Sequence, residues 1–274
     1  MQPKLIIHGG AGSSLDEKGG LEIVRKSLHR IVDELYNLLL GDTAALDIVI
    51  RGCQMLEDDP IFNAGTGSVL QSDGQIRMSA SLMDGLNHRF SGVINVSRIK
   101  NPIDLARALQ ESPDRVLSDS GAAEFVRELQ MPVYNPLTDK RLNEWLEDRK
   151  QNFNGGKGFE KIGRVSDSAM PAGNYATDSA AVSCTGIGED IIDECLAAKI
   201  VIRVTDGFSI KAAFERSFAE AHEHKRDLGA IGIDAGGTIN WGKTCDVILA
   251  AFHDGEKIGD SLEADKGKST FSVE

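Results

Sequence analysis

The sequence predicts an α+β fold in which two packed β-sheets form the core and helices lie outside them. Three observations predict it. Helical apolar spacing recurs between short strand-like segments, turn signals typical of hairpins separate several of the strands, and no clean linker divides the 274 residues. This order of elements suits a sheet-on-sheet core covered by helices, so we expect one domain over 1–274.

The first half of the chain is predicted to alternate a strand, two helices and two more strands. The apolar run Leu5–His8 predicts a strand. Apolar residues at helical spacing over 21–39 predict a helix that Gly41 ends, and Asp42 and Thr43 are expected to cap the next helix. An acidic turn over 57–60 ends that helix. Strands over 76–83 and 90–99 follow, with turn signals at Asp73-Gly74 and Asp84-Gly85.

The second half is predicted to be richer in helices. Helices are expected over 102–110, 119–129 and 140–153, before a glycine-rich stretch at 154–158. A strand over 180–184, two helices over 189–204 and 209–224, and an antiparallel meander over 229–234, 238–241 and 247–252 complete the core. The polar residues 264–274 are expected to form a loose tail.

Composition excludes several classes of function. The net charge of -12 argues against nucleic acid, which requires a basic face, and against an anionic membrane surface. No apolar run reaches the length of a transmembrane helix. The four scattered cysteines form no C-x-x-C pair, so we interpret them as reduced core thiols of a cytoplasmic protein.

Two neighbouring stretches carry the chemistry of a small-molecule site. Arg164 and Asp167 lie three residues apart in a loop of small residues, and Thr185-Gly186-Ile187-Gly188 follows a buried strand. An arginine can bind a carboxylate with two hydrogen bonds, and an aspartate can bind an ammonium group. The hydroxyl and backbone N–H groups of the second stretch suit a developing oxyanion. The set therefore indicates an α-amino-acid zwitterion, and the alternative is a surface ion pair beside a glycine-rich strand end.

A third motif points to a different class of ligand. Residues 237–244 match the phosphate-binding pattern G-x-x-x-x-G-K-[ST]. That loop must connect a strand to a helix so that backbone N–H groups meet the phosphate. Here its interior is strand-forming, and only the short segment 247–252 precedes the next turn. Nucleotide binding at 237–244 is therefore the weaker alternative.

Taken together, these segments resemble one family. Five segments stand in the order found in isoaspartyl peptidases/L-asparaginases, the plant-type asparaginases among N-terminal-nucleophile hydrolases. The resemblance spans about 1–260. The segments are Ile7-His8-Gly9-Gly10-Ala11-Gly12, Phe62-Asn63-Ala64-Gly65-Thr66-Gly67, Met83-Asp84-Gly85, Gly163-Arg164-Val165-Ser166-Asp167-Ser168 and Ser183-Cys184-Thr185-Gly186-Ile187-Gly188-Glu189.

The resemblance implies a four-layer αββα fold and hydrolysis of the side-chain amide of asparagine or of β-aspartyl peptides. In the family, self-cleavage exposes a threonine whose hydroxyl attacks and whose amine acts as base. Residues 1–154 resemble the α-subunit part and 155–263 a truncated β-subunit part. The family also suggests a homodimer and no organic cofactor.

The resemblance also implies roles for particular residues. Arg164 would bind the substrate carboxylate and Asp167 its ammonium group, while Gly188 would contact the ligand through its backbone. Thr185 and Gly186 would form the oxyanion hole, and Asn63 would position the nucleophile. Backbone carbonyls of the loop over 56–64 would bind a structural sodium ion, and the residues implied are Leu56, Glu57, Phe62 and Ala64.

The chain departs from the family pattern where the nucleophile belongs. Between Asn154 and Gly155 a stretch of roughly twenty residues, about two strands and a turn, is missing with its threonine. Of the two remaining Gly-Thr pairs, Gly65-Thr66 belongs to the Asn-Ala-Gly loop and Gly237-Thr238 to the late hairpin. We therefore predict an inactive chain that does not cleave itself.

Three hypotheses follow from this departure. An editing or gene-model error has removed an ordinary segment, and the natural protein is an amidohydrolase. Alternatively, the deletion is real, and the chain is a pseudoenzyme that binds asparagine-like or aspartate-like zwitterions. The third hypothesis is nucleotide binding at 237–244.

Overall fold

The computed structural model describes residues 2–12, 15, 18–153, 160–263 and 268–274 and shows a mixed α/β molecule. The described strands are β1 (Leu5–Gly12), β2 (Met78–Asp84), β3 (Arg89–Val96), β4 (Val116–Ser118), β5 (Asn174–Ala176), β6 (Ala180–Gly186), β7 (Leu228–Asp234), β8 (Ile239–Lys243), β9 (Val247–His253), β10 (Ile258–Asp260) and β11 (Thr270–Val273). The described helices are α1 (Leu21–Leu40), α2 (Ala45–Glu57), α3 (Pro102–Ala108), α4 (Asp119–Glu128), α5 (Asp139–Lys150), α6 (Gly188–Glu194), α7 (Leu196–Thr205) and α8 (Ile210–Glu223).

The described strands form three sheets. A five-stranded sheet has the order β11-β8-β7-β6-β5, and two three-stranded sheets have the orders β1-β9-β10 and β2-β3-β4. Neighbouring strands are antiparallel except β3 and β4, which are parallel.

The five-stranded sheet is packed on both faces. On one face, Phe214 and Phe218 of α8 pack with α7 and with residues of β6 and β7. Gly242 permits this contact, because a Cβ there would lie 2.5 Å from Phe218 Cε2. On the other face, Trp241 packs with residues of β9, including Phe252.

The two smaller sheets each carry their own helices. Apolar residues of α1 and α2 pack on β1 and β9, and residues of α3 and α4 pack on β2 and β3. The α1 side chains that are buried recur at the helical spacing read from the sequence. No helix among the described residues is long and apolar enough to span a membrane.

Several local predictions differ from the structure. Strand β9 does not continue the meander, because it lies between β1 and β10 in another sheet. The N-cap of α2 is Ala44, and no side chain caps that helix end. The turn at Asp73-Gly74 does not join two strands, because the strand after it begins only at Met78.

The C-terminal prediction also needs correction. Residues 264–267 lie outside the described part, but Thr270–Val273 form β11, which pairs with β8. Phe271 stacks on Trp241 with ring centroids 5.4 Å apart, which explains why this polar-looking segment is ordered. Cys195 is exposed rather than part of the core, at the left-handed turn (φ 48°) between α6 and α7.

Candidate functional site

Arg164 is already paired with two carboxylates. Its Nε and Nη2 atoms donate to Glu189 Oε1 and Oε2 at 2.7 and 2.9 Å, and Nη1 donates to Glu160 Oε1 at 2.9 Å. The hydrogen bonds from Arg164 lower the pKa of Glu189 to about 2, so this pair is charged at neutral pH. A ligand carboxylate would therefore compete with Glu189 for the guanidinium group.

Asp167 and Gly188 lie against Arg164. A Cβ built at Gly188 would lie 2.6 Å from Arg164 Nη2 and 2.8 Å from Asp167 Oδ1, so only glycine leaves this room. Burial raises the pKa of Asp167, while the charge of Arg164 opposes that rise. The structure thus brings the two predicted zwitterion-binding groups and the predicted backbone contact to one place.

Thr185 and Gly186 end β6 directly before this cluster. Their register is fixed because Thr185 pairs with Gly229 and Gly186 with Leu228 of β7. Gly186 has φ +125°, a conformation that favours glycine. Both residues line the same cavity as Arg164, Asp167 and Gly188, which has a volume of about 1360 Å³.

Asn63 reaches this cavity from the other half of the chain. Its Oδ1 accepts the backbone N–H of Val69 at 2.9 Å, so the side chain has a structural partner. All six predicted catalytic and substrate-binding residues therefore line one cavity. Their roles remain predictions.

Two further features of the cavity were not assigned from the sequence. Glu189 accepts two hydrogen bonds from the guanidinium group of Arg164. Its place at the end of the last family segment, next to Gly188, is the sequence signal that could have identified it. His8 at the other wall contacts Ser183 Oγ through Nε2 at 2.9 Å. Burial lowers the pKa of His8 to about 4, so its ring is neutral.

In the loop predicted to bind sodium, two of the four backbone carbonyls already accept hydrogen bonds. The carbonyl of Glu57 accepts the N–H of Thr66 at 2.7 Å, and that of Leu56 accepts the N–H of Asp59 at 3.4 Å. Phe62 is buried and Ala64 lines the cavity. Within the described ranges no group of three or more His, Cys, Asp or Glu could hold a metal ion.

The predicted loss of the nucleophile falls between Asn154 and Gly155, which lie outside the described residues. Neither remaining Gly-Thr pair supplies a substitute within the cavity lining. Thr66 Oγ1 contacts Tyr134 Oη at 3.0 Å, and the N–H of Thr238 donates to Asp234 Oδ1 at 2.8 Å.

The nucleotide-binding alternative does not fit the structure. Residues 239–243 form strand β8, and another strand, β9, follows it. The Lys243 side chain is buried and donates to the Asp246 carbonyl at 2.7 Å. The matching letters therefore do not produce the strand-to-helix loop that binds phosphate.

The fold and the residues that line this cavity fit the asparaginase family that the sequence resembles. The family model described as "Asparaginase" matches residues 1–155 and 153–263, so the chain belongs to this family. The chain is 63% identical to an isoaspartyl peptidase/L-asparaginase of Nostoc sp., over 100% of this chain and 98% of that protein. It is 56% identical to one of Synechocystis sp. (97% and 92% covered) and 32% identical to one of Homo sapiens (84% and 86% covered).

The family match is divided into two segments, and the alignment with the Nostoc relative is longer than this chain. The family model matches in two segments that meet at 153–155. The alignment with the Nostoc protein runs over 313 residues while this chain supplies 274, so 39 aligned positions have no counterpart here.

Proposed function

We propose that this chain is a non-catalytic binder of asparagine-like or aspartate-like zwitterions that remains uncut, within a family of asparaginases and isoaspartyl peptidases. The observation that carries the proposal is the convergence of Arg164, Asp167 and Gly188 on one cavity. An arginine and an aspartate that both lie against one glycine can bind the carboxylate and the ammonium of one amino acid. Thr185 and Gly186 would face the side-chain end of the ligand.

The absence of turnover follows from the missing nucleophile. Without an attacking hydroxyl and its amine, the site retains binding and oxyanion contacts but no covalent step. The two-segment family match supports a deletion at 153–155, and the 39 unmatched positions show that the Nostoc relative has aligned residues with no counterpart in this chain. The competing hypothesis, an ordinary amidohydrolase whose sequence has lost this segment, predicts activity only when the segment is restored.

The first test measures processing and turnover. We expect the denatured protein to give one mass of 29.5 kDa and to release no ammonia from asparagine or a β-aspartyl dipeptide. Two fragments meeting in the 150s, or ammonia release above a heat-denatured control, would refute the proposal of an uncut, inactive chain.

The second test measures ligand binding through thermal stability. Saturating aspartate should raise the melting temperature by several degrees, because a ligand at 100 times its Kd stabilises by about 2.7 kcal/mol. Arg164→Ala should abolish this shift, and the matched surface variant Arg216→Ala should keep it. In Glu189→Gln the same rise in melting temperature should occur at an aspartate concentration about tenfold lower, because the carboxylate that competes for Arg164 is replaced by a neutral amide.

The absence of a shift in the intact chain would eliminate the binding proposal. If Glu189→Gln needs the same aspartate concentration as the wild type for this shift, Glu189 does not compete with the ligand.

Four finer expectations belong to the same proposal. The packing of helices on both outer sides of β1-β9-β10 and the five-stranded sheet supports a four-layer arrangement. Oxygen ligands suit a hard cation such as sodium, and the carbonyls of the 56–64 loop would supply them. A homodimer and a cytoplasmic location stay predictions from the resemblance and the composition.

A further inference from the structure

Two strands that border the large cavity each have one unpaired edge. Strand β1 pairs only with β9, and β2 pairs only with β3, among the described strands. An unpaired edge presents a row of free backbone N–H and C=O groups, which can pair with another extended chain.

The register identifies the free backbone groups of β1. The N–H and C=O of Ala250 on β9 both bond to Ser261, at 2.9 and 3.0 Å, so they point away from β1. Ala250 is opposite His8, which makes this a non-hydrogen-bonded pair. The N–H and C=O of His8, and of Ile6 two residues earlier, therefore point to the open edge.

Strand β2 has free backbone groups in the same arrangement. The N–H of Gly92 on β3 donates to the Arg115 carbonyl at 2.8 Å, on the side away from β2. Gly92 is opposite Ser81, so the N–H and C=O of Ser81 point to the open edge. Those of Met83 do so as well, because strand residues alternate with a period of two.

Both open edges border one space. Residues 5–11 of β1 and 78–83 of β2 line the cavity of about 1360 Å³. Pockets for small ligands measure roughly 300–1,000 Å³, so this space exceeds what one amino acid needs. Two buried polar atoms of its lining residues, His8 Nδ1 and Ser166 Oγ, have no hydrogen-bond partner among the described groups.

The comparisons indicate the kind of occupant. The Nostoc relative has aligned residues that this chain lacks, and the family match is interrupted at 153–155. Residues 160–164, which follow shortly after this point, also line the cavity. A polypeptide segment, rather than a second small molecule, therefore corresponds to what the relative has and this chain lacks.

We propose that the cavity is a strand-complementation site, which binds a separate β-hairpin peptide by pairing with the open edges of β1 and β2. The peptide backbone would bond to Ile6 and His8 on one side and to Ser81 and Met83 on the other. The inference rests on backbone geometry and on the alignment, and it is independent of whether the cavity also binds aspartate.

The test uses the full chain and a labelled synthetic peptide with the Nostoc residues that have no counterpart in this chain. Fluorescence anisotropy should show saturable binding that a scrambled peptide does not compete away. Hydrogen exchange should show new protection at the amides of Ile6, His8, Ser81 and Met83. No binding beyond that of the scrambled peptide, or binding without protection of both strands, would overturn the proposal.

A matched pair of variants tests the pairing itself. Met83→Pro removes an N–H that makes no bond to β3, so the native sheet should tolerate it as edge strands tolerate proline. Met83→Ala removes the same side chain and keeps the N–H. We expect Met83→Pro to bind the peptide about tenfold more weakly than Met83→Ala, as the loss of one hydrogen bond predicts. Equal affinities of two folded variants would contradict pairing at β2.

Discussion

Glu57 ends helix α2 with its carboxyl group buried beside the cavity. One oxygen, Oε1, accepts the N–H of Ile103 at 3.2 Å, and Oε2 has no partner among the described residues. Burial raises its pKa from 4.5 to about 8, although the nearby Asn101 amide and the hydrogen bond from Ile103 oppose the rise. The group is therefore mostly protonated in the folded protein at neutral pH.

This pKa makes folding stability depend on pH. The folded protein holds the proton more tightly than the unfolded chain, so the stabilising effect is complete below pH 4.5 and is lost as the pH rises toward 8. A tenfold difference in proton affinity between the two states corresponds to about 1.4 kcal/mol, so the free energy of unfolding should fall by several kcal/mol. Glu57→Gln should remove this part of the pH dependence in urea unfolding between about pH 5 and pH 9.

The exposed residue Glu128 supplies the control, because Glu128→Gln changes the same charge on the surface. Its unfolding free energy should follow the wild-type pH profile. If Glu57→Gln also follows that profile, the carboxyl group is ionised at neutral pH and the assignment is wrong.

Individual residues also show where sequence reasoning stops. The sequence predicted Arg164 and Asp167 as a pair of opposite charges in one loop, and the structure places them together against Gly188. It did not predict that Glu189 would occupy the guanidinium fork, because that contact joins residues 25 apart whose meeting depends on how β6 ends beside the loop.

At the scale of elements, helices were predicted well because apolar residues recur every three to four positions along the buried face of each helix. Helix α1 buries its apolar face as its spacing predicted. The single helix predicted over 189–204 is wrong in its middle, since the left-handed residue Cys195 divides it into α6 and α7, whereas the helix predicted over 209–224 corresponds to α8.

Strand partners were harder to predict than strands. Strand β9 was predicted, but its placement between β1 and β10 depends on contacts with residues more than 200 positions away. Strand β11 was missed because its polar segment carries little apolar pattern, and its pairing with β8 and the stacking of Phe271 on Trp241 are contacts between residues distant in the sequence. The open edges of β1 and β2 likewise became visible only when all sheet orders were known.

At the scale of the whole molecule, the buried apolar residues of the described part form four separate clusters. The core of β2 and β3 with helices α3 and α4 forms a cluster separate from those of the other two sheets. Its sheet has three strands, of which β2 and β4 are each unpaired on one side among the described strands, and neighbouring helix α5 buries no residue. We therefore expect this part to unfold before the five-stranded sheet.

The two tryptophans of the chain can report these parts separately. Trp145 packs against the β2–β3 cluster and donates to the Gln71 carbonyl at 3.0 Å, whereas Trp241 lies in β8 of the five-stranded sheet and stacks with Phe252 and with Phe271. In urea, Trp145 fluorescence measured in Trp241→Phe should change at a lower midpoint than Trp241 fluorescence measured in Trp145→Phe. Each substitution weakens the part that is not being observed, so neither should lower the midpoint of the part that is measured if the two parts unfold independently. Coincident midpoints in both variants would instead show that the molecule unfolds as one cooperative unit despite its open cavity.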